Sequence, residues 1–249
     1  MDFTTEAKRE LCRLVFKSPE TRVAELAALL RFVDGVRLTG SRVSLSAQVD
    51  LDLTARRVQR SLTELYGYRA TVHHHPAPGA ASGYVVRVDH DVSKLAAHTG
   101  LLTPEGELVS GLPAHLLGGN VARVESLWRG AFLGAGQLTS DRRSSGGVQV
   151  RCPGIETAVA LVGAARRLAS GPRLTTVARR GSASLFVRVR TSPRCWRRLG
   201  RPPHWRRGRT VGLAGSRTSR RGWAGSSVAR TVCAQRRLRR RLPLRSNVL

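Results

Sequence analysis

The acidic residues of this chain stop at Glu156, and this boundary divides it into two segments of very different composition. All 16 acidic residues lie in residues 1–156, which also hold 16 Arg and 3 Lys and carry a net charge of +3. Residues 157–249 contain 24 Arg, no Lys and no acidic residue, so their net charge is +24. A segment of that composition repels itself and buries little apolar surface. We therefore predict a globular domain over residues 1–178 and an arginine-rich tail over residues 179–249.

The tail has three interpretations. It is an arginine-rich arm that binds nucleic acid through counterion release, a self-repelling disordered segment, or the product of a shifted reading frame. The third interpretation rests on the abundance of Arg, Pro, Gly, Ala, Ser and Trp, which GC-rich codons yield when they are read out of register. We favour a frameshifted or disordered tail, so the net charge of +27 does not decide the function.

Residues 1–178 carry the periodic patterns of a folded α+β domain. Ser18 and Pro19 begin a helix with a stripe of apolar residues that ends at Gly35. Two short segments on either side of Gly40-Ser41 alternate in polarity and predict a β-hairpin over 36–39 and 42–49. The other elements predicted before residue 100 are helices over 5–16, 53–66 and 92–98, and strands near 69–74 and 83–89.

The order of elements then repeats. A helix over 121–134, a polar hairpin over 139–147 leading into a strand over 148–152, a helix over 155–168 and a strand near 173–179 follow one another. Aligning Gly35 with Gly136 brings the two halves into register at an offset of 101 residues. This pattern predicts two helix-hairpin-helix-strand units, over about 19–99 and 121–178. We expect a pseudo-two-fold axis between them, with the first helix of each unit packed at the centre.

Several stretches resemble a known family. Residues 27–35 look like a degenerate LAGLIDADG motif, and residues 128–136 look like its second copy. More specifically, residues 1–178 resemble the WhiA family of bacterial sporulation and cell-division regulators. The matching blocks are AELAALLRF (24–32), YVVRV (84–88), HTGLLT (98–103), GLP (111–113), WRGAFLGAG (128–136) and CPGIETAVALVGAARRL (152–168). The resemblance implies a LAGLIDADG homing-endonuclease-like N-terminal domain and a C-terminal helix-turn-helix. Residues 180–249 match nothing of the second part, so the predicted tail replaces it.

The resemblance also implies where a nuclease would act. Homing endonucleases of this architecture hold divalent metal ions between one acidic residue from the end of each central helix, because hard cations need several anionic oxygens. Asp34 takes the first of these positions, whereas Ala135 takes the second and has no carboxylate. We interpret Asp34 as vestigial and predict no catalysis, no metal site and no cofactor.

The run His73-His74-His75 suggests a second place for a metal ion. Strand alternation would turn His74 away from its two neighbours, and no acidic residue or cysteine lies near the run in the sequence. We therefore predict no metal site there either.

With catalysis excluded, the resemblance still implies a surface that binds double-stranded DNA. In the fold that the resemblance implies, the two sheets form a saddle over the duplex. Phosphate contacts from arginine position a duplex without reading its sequence. The candidate DNA-binding residues are the polar side chains of the predicted strands and the nearby arginines: Arg37, Arg42, Ser44, Ser46, Gln48, Arg69, Arg87, Arg142, Arg143, Gln149 and Arg151.

Together these features predict a non-catalytic DNA-binding regulator of sporulation, or of cell division and chromosome segregation, that is truncated. The alternatives are a metal-dependent DNA endonuclease, favoured by Asp34 and the repeat, and an arginine-rich RNA-binding protein, favoured by the net charge. The expected partners are double-stranded DNA and a second transcription regulator, with no small-molecule substrate. No apolar run reaches 18 residues and no signal peptide is present, so we expect a cytoplasmic, nucleoid-associated protein without membrane contact.

Overall fold

The computed structural model describes residues 3–16, 18–76, 83–118, 120–141, 144–168, 172–179 and 182–190. The helices are α1 Phe3–Arg13, α2 Pro19–Phe32, α3 Asp52–Tyr66, α4 Val92–His98, α5 Ala114–Leu117, α6 Val121–Ala135 and α7 Ile155–Arg167. The strands are β1 Val36–Thr39, β2 Arg42–Val49, β3 Thr71–His75, β4 Gly83–Val88, β5 Gly136–Asp141, β6 Ser144–Cys152, β7 Pro172–Arg179 and β8 Ser182–Arg190. None of the described helices combines the length and the apolar character needed to cross a membrane.

The strands form two antiparallel sheets with the same connectivity. The first sheet has the order β1-β2-β4-β3 and the second has the order β5-β6-β8-β7. The offset of 101 residues carries β3 onto residues 172–176 and β4 onto residues 184–189, which lie within β7 and β8. The predicted repeat is therefore confirmed, and it extends one strand further than the sequence pattern indicated.

The two halves meet along α2 and α6, which pack against each other as predicted. Ala27 and Ala28 are fully buried on α2. On α6, a Cβ atom added to Gly130 would lie 2.1 Å from the backbone oxygen of Glu25. Gly134 is less tightly placed, with 3.2 Å from such a Cβ to the backbone oxygen of Leu29. Small residues thus set the distance between the central helices, because no side chain fits between the two backbones.

The hydrophobic core lies between the helices and one face of each sheet. Helix α3 packs on β4 and β3, and α7 packs on β8 and β7. Alternate residues of the central strands point into this core, as the period of two requires. They are Leu45, Ala47 and Val49 of β2, Val86 and Val88 of β4, Val148 and Val150 of β6, and Val187 and Val189 of β8. The opposite face of each sheet carries mainly polar side chains, together with Val85 in the first sheet and Phe186 in the second.

A buried ionic cluster joins the two halves beside the central helices. Glu25 of α2 is 5% exposed, and its carboxylate accepts hydrogen bonds from Arg57 of α3 and from Arg129 of α6. The distance from Arg129 Nη1 to Glu25 Oε2 is 3.0 Å. Burial lowers the pKa of Arg129, and the charge of Glu25 opposes that effect. The pairing allows two arginines to lie inside the structure.

Helix α1 ends at Arg13, three residues before the predicted end. Arg57 Nη1 donates hydrogen bonds to the carbonyl oxygens of Cys12 and Leu14, at 3.0 and 2.8 Å. The Phe16 ring lies under the Arg129 guanidinium, 3.8 Å from its centroid. These contacts hold residues 14–16 as a linker, since the last carbonyl groups bond to Arg57 instead of continuing the helix.

The second sheet continues past residue 178, where the sequence analysis ended the domain. Strand β8 lies between β6 and β7, so β7 reaches the rest of the sheet only through β8. The core side of β8 contributes Val187 and Val189, which are 0% and 3% exposed. The remainder of the predicted tail, residues 191–249, lies outside the described residues.

Candidate nucleic-acid interface

The first sheet presents a polar face on the side away from the helices. Its members are Arg37, Arg42, Ser44, Ser46, Gln48 and Arg87, and we call them the first polar face. Strand register brings them together, because Arg37 pairs with Ser44 and Ser46 pairs with Arg87. All of them are exposed except Ser46, which is half-buried. The face therefore displays three guanidinium groups and no carboxylate among its members.

The second sheet has a polar face at the corresponding place, formed by Gln137, Gln149, Arg151 and Arg188, which we call the second polar face. Register pairs Gln149 with both Gln137 and Arg188. Arg151 and Arg188 are exposed, whereas Gln149 is only 6% exposed. Arg188 Nη2 donates a hydrogen bond of 2.9 Å to Gln149 Oε1 and helps to cover it. Within this pair Arg188, rather than Gln149, is accessible to a ligand.

The other predicted contact residues lie elsewhere. Arg69 is exposed in the connection between α3 and β3, beside the first sheet rather than on its polar face. Arg142 and Arg143, which separate β5 from β6 in the sequence, lie outside the described residues. Of the eleven predicted residues, the structure thus places six on the first polar face and two on the second.

A cleft of about 460 Å³ lies where the ends of α2 and α6 meet both polar faces, and we call it the central cleft. Its polar lining consists of Asp34, Arg37 and Gln48 from the first half and Arg151 from the second half. Asp34 adopts a left-handed backbone conformation with a φ of 52°. The distance from Arg37 Nε to Asp34 Oδ2 is 3.4 Å, and both side chains are more than half exposed. The carboxylate of Asp34 is thus solvated and next to a cation.

The residues around the central cleft do not form the carboxylate pair of a nuclease. Ala135, half-buried at the end of α6, occupies the position that the repeat matches to Asp34. Arg151 lies one residue beyond the Gly136–Val150 pair, at the same helix end. Across the described part of the chain, no three His, Cys, Asp or Glu side chains gather as metal ligands.

The histidines of β3 alternate as predicted. His73 pairs with Val85 and His75 pairs with Gly83, while His74 lies between them opposite Tyr84. The His74 and Tyr84 rings meet edge-on, with 5.2 Å between their centroids. Val85 of β4 pairs with Gln48 of β2 and with His73 of β3. His73 therefore lies on the same side of the sheet as the first polar face.

Sequence reasoning missed Arg188, which lies on a strand that it did not predict. The signal was present in the sequence, since Leu185, Val187 and Val189 alternate with Phe186 and Arg188. This period of two is typical of a half-buried strand. The composition of the surrounding segment concealed it, because the absence of acidic residues favoured an unfolded tail.

Comparisons with known proteins show which family this chain is similar to. Residues 19–102 match the family model of the WhiA N-terminal LAGLIDADG-like domain. The probable cell division protein WhiA of Mycobacterium avium (strain 104) is 49% identical over 190 residues, which are 76% of this chain and 57% of that protein. The chain thus spans less than two thirds of the length of this relative. These matches confirm the predicted resemblance to the WhiA family.

Solved structures share the fold. The crystal structure of the N-terminal LAGLIDADG domain of DUF199/WhiA superposes with a TM-score of 0.57 at 15% identity, covering 80% of this chain and 90% of that one. Mesophilic variants of the homing endonuclease I-DmoI superpose with a TM-score of 0.50 at 9% identity, covering 73% and 96%. At such low identities the likeness concerns the fold alone, and it confirms the predicted LAGLIDADG-like α+β architecture.

Proposed function

We propose that this chain, whose residues 19–102 match a WhiA N-terminal LAGLIDADG-like domain, is a DNA-binding regulator without nuclease activity. The relatives that it matches are named as probable cell division proteins, and we extend that role to this chain. On this proposal it acts in cell division, chromosome segregation or sporulation. It works in the cytoplasm on the nucleoid, with duplex DNA and a second transcription regulator as its partners.

The paired polar faces support DNA binding most directly. Each sheet turns arginines away from the core, Arg42 and Arg87 in one half and Arg188 in the other, and the offset of 101 residues matches Arg87 with Arg188. Arginine forms bidentate hydrogen bonds with phosphate, and each such contact releases counterions from the duplex. Two halves related by a pseudo-two-fold axis suit a ligand whose own two strands are related in the same way.

The central cleft supports a regulator over a nuclease. A metal-dependent nuclease needs carboxylates from both halves, and here the residue that the repeat matches to Asp34 is Ala135. Asp34 itself is paired with Arg37. The endonuclease alternative is favoured by the repeat and by the position of Asp34 at the end of a central helix.

Duplex-binding assays on charge-matched variants test the proposal. The full chain with Arg42, Arg87 and Arg188 changed to Gln loses three charges from the polar faces. The control with Arg56, Arg60 and Arg166 changed to Gln loses three exposed charges from α3 and α7, on the helical side. We expect the first variant to bind duplex DNA at least about tenfold more weakly than the control, since each lost phosphate contact costs on the order of 1 kcal/mol.

Equal losses in the two variants would contradict the proposal and favour attraction by overall charge, as the RNA-binding alternative predicts. Incubating plasmid DNA with the full chain and Mg²⁺ or Mn²⁺ tests the endonuclease alternative. We expect no cleavage of the plasmid. Cleavage that disappears in Asp34→Ala would support the endonuclease instead.

The tail forms a separate part of the proposal. We infer that residues beyond β8 take the place of a helix-turn-helix domain because of a shifted frame, an inference supported by their composition. The nucleotide sequence from codon 176 onward tests it. An alternative frame that encodes acidic residues and a helix-turn-helix pattern would support the inference, and its absence would contradict it.

A further inference from the structure

The central cleft has the wrong charge for the cations that this architecture holds in nucleases. Its lining contains two arginines, Arg37 and Arg151, and one carboxylate, that of Asp34. A hard divalent cation needs several anionic oxygens, and two guanidinium groups in the same cleft repel it. The donor set therefore does not fit a metal ion.

The neighbourhood of Asp34 strengthens this conclusion. The carboxylate pairs with Arg37 at 3.4 Å and also interacts with Arg31 on the last turn of α2. Burial lowers the pKa of Arg31, and the charges of Asp34 and Glu156 oppose that effect. The single carboxylate of the cleft thus already has a cationic partner within the protein, Arg37.

We propose that the central cleft is a phosphate site, in which Arg37 from one half and Arg151 from the other bind backbone phosphate groups of the DNA duplex. This inference rests on the proposed function, and it assigns cationic side chains to the place where the nuclease architecture uses metal ions. Each half of the fold contributes one of the two arginines. The guanidinium groups neutralise the phosphates that lie over the ends of α2 and α6.

The dimensions and the chemistry of the cleft suit this ligand. A volume of about 460 Å³ is many times the roughly 30 Å³ that one water molecule occupies in the liquid, so a hydrated sugar-phosphate segment fits. Gln48 adds an amide at the rim of the same cleft. Both arginines are exposed, so they reach a ligand without a change in the core.

The salt dependence of DNA affinity tests the site. Duplex binding by the full chain is measured over a series of KCl concentrations for the wild type, Arg37→Gln, Arg151→Gln and the double variant. Each phosphate contact contributes about 0.9 to the slope of log affinity against log salt. We expect each single variant to lower the slope by about 0.9 and the double variant by about 1.8. Arg60→Gln, on the helical side, serves as the control and leaves the slope unchanged.

A second measurement addresses the metal ion. The wild-type slope and affinity are expected to be the same in EDTA and in MgCl₂ at matched ionic strength, and isothermal titration with MnCl₂ is expected to give no heat that depends on Asp34.

Unchanged slopes in both single variants, or an affinity that requires the metal and is lost in Asp34→Asn, would overturn the inference. If the wild type binds no duplex at all, the proposed function fails instead. Thermal unfolding of each variant verifies that it is folded.

Discussion

At the scale of single residues, Gly130 leaves the least room for a side chain among the described glycines. A Cβ atom at this position would lie 2.1 Å from the backbone oxygen of Glu25, and backbone cannot move aside as a side chain does. We expect Gly130→Ala to push α2 and α6 apart and to lower the free energy of unfolding by about 3 kcal/mol. Urea unfolding followed by circular dichroism measures the change.

The matched control is Gly163→Ala on α7, where an added Cβ meets nothing within 4 Å. Alanine has the higher helix propensity, so this variant is expected to gain about 0.5–1 kcal/mol. A loss in Gly163→Ala as large as that in Gly130→Ala would show that the close approach of the helices is not the cause.

The Cys152 thiol makes the free energy of unfolding depend on pH in the alkaline range. Burial raises the pKa of the Cys152 thiol from 9.0 to about 11. The protonated thiol is favoured in the folded chain, so its contribution to stability is complete below pH 9 and is lost as the pH rises through about 11. We expect the stability of the wild type relative to Cys152→Ala to fall over this window, as measured by urea unfolding. A difference that stays constant with pH would contradict this assignment.

The Glu25 cluster is a residue-scale feature that the sequence did not reveal. Its two arginine partners lie 32 and 104 residues away along the chain, so the pairing depends on three helices meeting. We expect Glu25→Gln to cost about 3 kcal/mol, because Arg57 and Arg129 lose the charge that compensates their burial. Asp52→Asn, which breaks the exposed pair with Arg56 at 2.8 Å, is expected to cost less than about 0.5 kcal/mol. Similar losses in the two variants would contradict the buried role of Glu25.

At the scale of elements, local patterns predicted most of the fold. The hairpin strands β1 and β2 and the helix α4 have the predicted bounds, because alternation and apolar periodicity are local properties. Gly67 ends α3 as predicted, with a φ of 75°. The predicted end of α1 was wrong because Arg57 binds the carbonyl groups of Cys12 and Leu14, which would have continued the helix. No local sequence pattern indicates that contact.

The candidate site was predictable to a similar degree. Alternation along β2 sufficed to place its polar residues on one exposed face. The burial of Gln149 was not predictable from the sequence. It depends on a hydrogen bond from Arg188, which lies 39 residues further along the chain on the neighbouring strand. The meeting of Arg37 and Arg151 in one cleft likewise needs the arrangement of both halves.

Strand β8 provides the element-scale prediction. Val187 is fully buried at the centre of the second sheet, while its neighbour Arg188 points to the exposed face. We expect Val187→Asp to lower the free energy of unfolding by about 3 kcal/mol or more, because an unpaired charge is buried. Arg188→Asp is the control in the same strand, with an expected effect within about 1 kcal/mol. Equal effects would show that β8 does not belong to the folded sheet.

At the scale of the whole molecule, our proposal gives the folded part and the segment beyond it different roles toward nucleic acid. The folded part offers two polar faces and a central cleft with specific arginines, whereas residues 191–249 offer 17 Arg and no acidic residue. On our account the folded part determines how the duplex sits, since its arginines are held by paired strands. The tail adds attraction that falls steeply with salt.

Hydrogen exchange of the full chain with and without duplex DNA tests this account most directly. We predict slower exchange on DNA binding in the hairpins β1–β2 and β5–β6 and around the central cleft, with no change in the outer face of α3. Protection confined to residues 191–249, with both hairpins unchanged, would contradict it.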